Sequence, residues 1–311
     1  METAFLFSGQ GAQFPGMGKE LYDNYRSARD VYDCADQSLG RSISGLCFEG
    51  TQEELNLTHN TQVCMLAADL AAGAVLKELK IEPDVAAGFS LGEYAALVYA
   101  GVLSIEDAFR LVQVRADAMQ DAVPIGKGAM AALMGVDGVT ADQICSEVCE
   151  GYVVPANYNS PVQTVISGEV EGVDRAIEIA EAKGYRAIKL AVSAPFHCAM
   201  LGSAAQRIET ELKDITLHEP TVPVVMNVTG EVVSDVSLIK ELLVKQAVSP
   251  VQWVKTLHCI HGMGVTNFIE CGAGKTLWGL TRKTLKGVNA LKAVDLSSVK
   301  GIEEKLGRPE K

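Results

Sequence analysis

The run Ala86–Leu97, AAGFSLGEYAAL, sets Ser90 in a Gly-x-Ser-x-Gly pattern made by Gly88, Phe89, Ser90, Leu91 and Gly92. A serine held on a sharp turn from strand to helix presents its hydroxyl clear of the backbone, where it can attack a carbonyl carbon. At the start of a helix the next free N–H groups, Leu91 first, can also donate to the oxyanion of a tetrahedral intermediate. The same residues fit an ordinary tight turn, so what matters next is which group could take the hydroxyl proton.

Five histidines compete for that role: His59, His197, His218, His258 and His261. Neutral imidazole is the usual base for a serine near pH 7. His59 in LTHNTQ and His218 in LHEPTVP read as surface turns. His258 and His261 share the helix-like QWVKTLHCIHGMG, where an i, i+3 pair could begin a metal site but no third ligand is near. His197, in AVSAPFHCAML, follows a strand-like run and Pro195 and precedes a helix, a loop position where catalytic groups gather. It is the favoured base, with a structural histidine as the alternative.

The segment SIEDAFRLVQVRADAMQDA carries a capping pattern at Ser104 and Asp107 and an apolar stripe through Ile105, Ala108, Phe109, Val112, Ala116 and Met119. On that wheel Arg110 points to solvent and Arg115 lies on the flank, half buried. A half-buried guanidinium needs an anion, either a protein carboxylate or one belonging to a ligand. Two glycine-rich stretches, SGQGAQFPGMG and CGAGKT, miss the spacing of a dinucleotide fingerprint and of a phosphate loop. The first follows the strand-like TAFLFS, which makes the Gln10 N–H a candidate second oxyanion donor beside the plain reading of a glycine-rich loop.

The elements that position these groups must come from a chain of 311 residues, 48% hydrophobic and 21% charged, a composition ordinary for soluble globular proteins. Its 27 Lys+Arg against 39 Asp+Glu give a net charge of −12, which argues against nucleic acid or an anionic membrane as the main partner. An anionic ligand must therefore meet a local basic patch. The opening METAFLF is too short an apolar run for a signal peptide or a membrane span, so a cytoplasmic protein is expected. Eight cysteines without a Cys-x-x-Cys pair read as buried free thiols. Cys145 and Cys149, one helical turn apart, have no second pair to complete a metal site, and no metal is expected.

Strand-like TAFLFS, PDVAAGFS, KLAVS, VPVVMNV and GVTNFIEC alternate with helical patterns, which predicts a mostly parallel α/β sheet. Residues 126–193 read differently, as β-α-β-β-α-β with Thr140 and Gln143 spaced as a capping box, the ferredoxin-like order. The expected organisation is a large subdomain from 1–125 and 194–311 with a small one, 126–193, inserted into it.

Six segments, FLFSGQGAQFPGMG, GFSLGEYAAL, VQVRADAM, ANYNSPVQTVISG, SAPFHCAM and FIECGAGKTL, together resemble the malonyl-CoA:acyl carrier protein transacylases, the acyltransferases of fatty-acid and polyketide synthesis. The resemblance covers nearly the whole chain. It implies an α/β-hydrolase-like large subdomain, Ser90 as the acylated nucleophile and His197 as its base, with the histidine oriented through carbonyl-type acceptors and Gln246 as the matching amide. It implies further that Gln10 and Leu91 form the oxyanion hole, that Arg115 grips the malonyl carboxylate, and that Gln62 and Asn157 line the pocket. No cofactor of the protein's own is implied: malonyl-CoA is a substrate, and phosphopantetheine arrives on the partner, an acyl carrier protein. Family members are usually monomeric.

One residue departs from the family, which usually has histidine where this chain has Phe89; that exchanges a hydrogen-bonding side chain for an apolar ring beside the nucleophile. Leu91 and Phe196 are similar to the malonyl-preferring members. Carriers of this kind are acidic, so docking calls for a positive face, either Arg282, Lys283 and Lys286 or Lys183, Arg186 and Lys189. Two rival readings are a serine esterase or thioesterase using His258 or His261 as base, and a carrier-binding scaffold that lost its chemistry through Phe89.

Overall fold

Ten strands are described: β1 (Thr3–Phe7), β2 (Val85–Gly88), β3 (Gly128–Met134), β4 (Val153–Ser160), β5 (Gln163–Glu169), β6 (Arg186–Lys189), β7 (Val224–Met226), β8 (Glu231–Val232), β9 (Asn267–Cys271) and β10 (Asn289–Ala293). β1 is buried at every position, with Phe5 and Phe7 entering the larger apolar cluster and Ala4 and Leu6 the cluster on the opposite face. A strand covered on both faces must be apolar throughout, which is why Ala4–Phe7 shows no polar alternation.

The computed structural model describes residues 2–192 and 194–307. In it β1 lies inside a six-stranded sheet ordered β10-β9-β1-β2-β7-β8, parallel except for the β7–β8 pair. The chain leaves β1 for β2 on one side and returns as β9 on the other. The loops after these three strands therefore open onto one crevice at the carboxyl ends, where α/β sheets place their ligands. The second sheet, ordered β4-β5-β3-β6 and antiparallel throughout, is built from residues 128–189, with the helices Gly138–Ser146 and Val170–Ala182 on one side forming a third cluster. An isolated parallel bridge from Asn157 to Val251 ties β4 to the segment before the helix Trp253–Gly262, with Tyr158 N–H to Val251 O and Val251 N–H to Ala156 O each at 2.9 Å.

Several local expectations are corrected. KLAVS is a strand only at its start: β6 ends at Lys189, the Leu190 N–H makes a last bond to Met130 O of β3 at 2.9 Å, and Leu190–Val192 wall the cavity described below, while Ser193 lies outside the described residues. The helix expected to start with a Thr140–Gln143 box is capped instead by Asp137, whose carboxylate accepts the Thr140 N–H at 2.8 Å; a charged acceptor three residues earlier takes the orphan donor first. That helix stops at Ser146, so Cys149 lies beyond it rather than one turn along it. All eight cysteines are free, but only Cys47, Cys64, Cys198 and Cys271 are buried, and Cys149 is exposed. His59 sits in the first turn of the helix Thr58–Glu78 and not in a surface turn. Among the described residues no helix is long and apolar enough to cross a membrane, and no cluster of His, Cys, Asp or Glu could hold a metal.

The elbow glycines are required for space rather than for their dihedral angles. A Cβ on Gly88 would lie 1.9 Å from the carbonyl carbon of Gly92, and one on Gly92 would lie 2.2 Å from the carbonyl oxygen of Phe7. Turn, helix and β1 meet here backbone to backbone, and no side chain can rotate away to make room. Gly92→Ala is therefore expected to destabilise the protein by about 3 kcal/mol or more, the upper end of overpacking costs. A urea melt with a midpoint within error of the parent would contradict this.

Candidate active site

Ser90 stands between β2 and the helix Gly92–Tyr99 with φ 54°, and His197 has φ 61°; both are left-handed conformations that cost a non-glycine residue on the order of 1 kcal/mol or more. Two strained residues from distant parts of the chain face one another. Ser90 Oγ lies 2.7 Å from His197 Nε2, and His197 Nδ1 lies 2.9 Å from the backbone carbonyl of Gln246. A carbonyl can only accept, so the ring proton sits on Nδ1 and Nε2 is left bare to take the proton of the serine.

His197 is buried, and burial first, then the charge of Arg115, pushes its pKa down to about 4 against the opposing pull of the Gln246 carbonyl. The ring is thus neutral, the form a base requires. Arg115, expected to be half buried, is 1% exposed, because helices packed over its flank close the side that its own wheel leaves open. Its Nη1 donates to Gln62 Oε1 at 2.6 Å, and its Nη2 donates to Gln246 Oε1 at 3.0 Å and Ser90 Oγ at 3.1 Å. The guanidinium carbon lies 5.5 Å from the centre of the Tyr94 ring, and Nε has no partner among the described residues. All of these acceptors are neutral. No described carboxylate comes within ion-pair distance, which leaves open the anion that the sequence called for. Arg110, by contrast, is exposed and pairs with Asp107.

Ser90, His197 and Arg115 border a cavity of about 640 Å³, which Gln10, Gln62, Phe89, Leu91, Asn157 and Phe196 also line. Gln246 does not line it; it sits behind His197, and it is the backbone carbonyl rather than the side-chain amide that orients the imidazole. The side chain instead donates through Nε2 to the Ser90 carbonyl at 2.9 Å. Neither the Gln10 N–H nor the Leu91 N–H meets an acceptor among the described residues, and both belong to loops at the cavity wall. A Cβ at Gly9 would fall 2.7 Å from the Phe89 carbonyl, so glycine lets the loop carrying Gln10 close over the elbow. The Phe89 ring packs edge-on to Trp253, with centroids 5.4 Å apart.

Two participants were missed. Asn227 accepts the Ser90 N–H on Oδ1 at 2.7 Å and donates to the Gly88 carbonyl at 2.6 Å, and Glu93 accepts from both Asn227 N–H and the Gln246 side chain. Asn227, in VMNVTG, carries no local signal. Glu93 does: it is a lone acid in an otherwise apolar helix, and a buried charge requires partners. His258 and His261 lie on the helix Trp253–Gly262, and neither contacts Ser90. Of the two basic clusters, Lys183 and Lys189 are already paired, with Glu147 at 2.9 Å and Asp174 at 2.5 Å. Arg282 and Lys283 end the helix Thr276–Thr284, whose Thr276 and Leu280 line the cavity; no described carboxylate pairs with them or with Lys286.

The acyl transferase domain family matches residues 4–300. The malonyl CoA-acyl carrier protein transacylase of Bacillus subtilis is 44% identical over 305 residues, covering 97% of this chain and 95% of its own. The chain belongs to the malonyl CoA-acyl carrier protein transacylase family. Among solved structures of that family, the Clostridium perfringens transacylase superposes with a TM-score of 0.96 at 39% identity, covering 98% of this chain and 97% of its own. A malonyl-transacylase solved in complex with a type II PKS acyl-carrier protein gives 0.94 at 39% identity, covering 98% of this chain and all of its own. The family match and the Ser90–His197 contact leave the esterase expectation, with its base at His258 or His261, without support.

The histidine's electrostatics can be read directly. With a folded pKa near 4 against about 6.5 in the unfolded chain, only the unfolded state takes a proton between those values, so stability falls as pH drops from 6.5 towards 4. In ¹⁵N NMR of the protein at pH 5.5, the His197 ring is expected to keep the shifts of the neutral Nδ1–H tautomer. Protonated shifts at that pH would refute this account.

Proposed function

We propose that this chain transfers a malonyl group from malonyl-CoA to the phosphopantetheine thiol of an acyl carrier protein through an ester on Ser90. The observation that carries the reading is Arg115, a buried cation with neutral partners only, 3.1 Å from the nucleophile. A guanidinium holds a carboxylate through two parallel hydrogen bonds, and a malonyl carboxylate bound there brings its thioester carbonyl to Ser90.

His197 Nε2 takes the hydroxyl proton as Ser90 Oγ attacks the thioester carbon. The Gln10 and Leu91 N–H groups receive the developing oxyanion. Collapse breaks the carbon–sulfur bond, the proton passes to the leaving thiolate, and CoA departs. The second half runs in reverse: the carrier thiol gives its proton to His197, sulfur attacks the ester, and Ser90 recovers its proton as the acyl group leaves. The protein needs no bound cofactor for these steps. The neutral imidazole and the buried arginine serve both halves, since donor and acceptor present the same arm.

Phe89 is an apolar wall beside the serine and leaves the Ser90–His197 contact intact, which favours an active enzyme over a scaffold. The proposed carrier face is Arg282, Lys283 and Lys286, beside the cavity and without carboxylate partners, in preference to Lys183, Arg186 and Lys189, where two charges are already compensated. The proposed setting is a monomer in the cytoplasm.

Intact mass after incubation with malonyl-CoA should show one added malonyl group, absent in Ser90→Ala. Acetyl-CoA, which leaves Arg115 unpaired, should be poorer in kcat/KM by about 100-fold or more. Equal use of both donors would sink the assignment of Arg115. Reversing Arg282 and Lys283 to Glu should raise KM for the carrier several-fold while the rate of malonyl loading from CoA stays put; a change in loading alone would place docking elsewhere.

A further inference from the structure

Glu93 is the one charged residue of the elbow helix and is wholly buried, yet it borders no part of the cavity. Its Oε1 accepts the Asn227 backbone N–H at 2.6 Å, and its Oε2 accepts the Gln246 side-chain N–H. Those two residues hold the reacting pair. Asn227 Oδ1 takes the Ser90 N–H at 2.7 Å, and Gln246 Nε2 gives to the Ser90 carbonyl at 2.9 Å, so both backbone polar groups of the strained serine are anchored. The Gln246 carbonyl then fixes His197 Nδ1 at 2.9 Å.

We infer that Glu93 is a positioning residue, a brace that joins Asn227, in the loop after β7, to Gln246, at the end of the helix Val236–Gln246, and so keeps nucleophile and base in reacting geometry. The inference rests on the transacylase reading only for the identity of the acyl group. Two segments more than 130 residues along the chain converge on one carboxylate, and each of its oxygens faces a donor. A neutral amide of the same shape cannot substitute: Gln would keep one acceptor and set its NH₂ against either the Asn227 N–H or the Gln246 NH₂. Burial raises the Glu93 pKa, and the hydrogen bonds from Asn227 and Gln246 with the nearby charge of Arg115 hold that rise to about 7, so the carboxylate the brace requires predominates above that pH.

The test compares parent, Glu93→Gln and Glu93→Asp by the rate at which a neutral fluorophosphonate labels Ser90, counted per folded molecule, beside malonyl transfer and a thermal melt. In Glu93→Gln, labelling and malonyl kcat should each fall about 10- to 100-fold, the worth of one or two charge-assisted hydrogen bonds, with KM for malonyl-CoA within about threefold of the parent. A merely structural role would lower the melting temperature and leave the labelling rate of folded molecules unchanged, and that result overturns the inference. If Glu93→Gln does not fold, Glu93→Asp keeps the charge but reaches only one partner, and its labelling should still fall about tenfold; an unchanged rate again overturns it. A parent that labels with fluorophosphonate but takes no acyl group from malonyl-CoA would defeat the transacylase reading and leave the brace comparison valid.

Discussion

A positive charge held out of water, hydrogen-bonded only to neutral oxygens and with the Glu93 carboxylate near but beyond ion-pair distance, is the constraint around which this site is arranged. Arg115 is 1% exposed and hydrogen-bonded to Gln62, Gln246 and Ser90, none of which neutralises it. Removing an ion from water costs several kcal/mol even after relaxation. The fold bears that cost at one location and places there both His197 and Ser90. Burial first, and this charge second, push the His197 pKa down to about 4, so the arginine adds to the desolvation that keeps the ring neutral.

The elbow shows why such a site needs close backbone packing. Ser90 sits at positive φ because the turn reverses from β2 into a helix whose first residue, Gly92, touches the end of β1. Hydrogen bonds to both its N–H and its carbonyl offset the strain of the serine, and the donors and acceptors come from Asn227 and Gln246, more than 130 residues later in the chain. Local sequence makes the turn possible, and distant residues hold it in the reacting form.

That division explains what could be read from the sequence. Ser90, His197 and the parallel arrangement of TAFLFS, PDVAAGFS and GVTNFIEC carry their signals within a few residues, as glycine spacing, a strand exit or an apolar run, and the structure places each accordingly. The β-α-β-β-α-β order of the second sheet was legible for the same reason. The depth of Arg115 was not, because a helical wheel reports only the face of its own helix. Asn227 was invisible, since an asparagine in a loop has no period. Glu93 could have been found by asking what partners a lone acid in GEYAALVY must have. KLAVS failed as a strand past its start because apolar residues that wall a cavity look the same in sequence as residues that pair in a sheet.

Charge at the surface poses a problem of a different range. The chain carries −12 overall, and a carrier of the acidic kind implied by the family resemblance is repelled at a distance. Beyond a Debye length of about 8 Å at physiological salt, that repulsion is largely screened, so local charge decides the last approach. The ion pairs Lys183–Glu147 and Lys189–Asp174 compensate two charges of one basic cluster, whereas Arg282, stacked 4.5 Å above Trp278, has no carboxylate partner among the described residues. Arg282 is thus a cation fixed by a ring, just beyond Leu280 of the cavity wall. Total charge bears mainly on how often charged partners meet, and local charge on the orientation in which they approach.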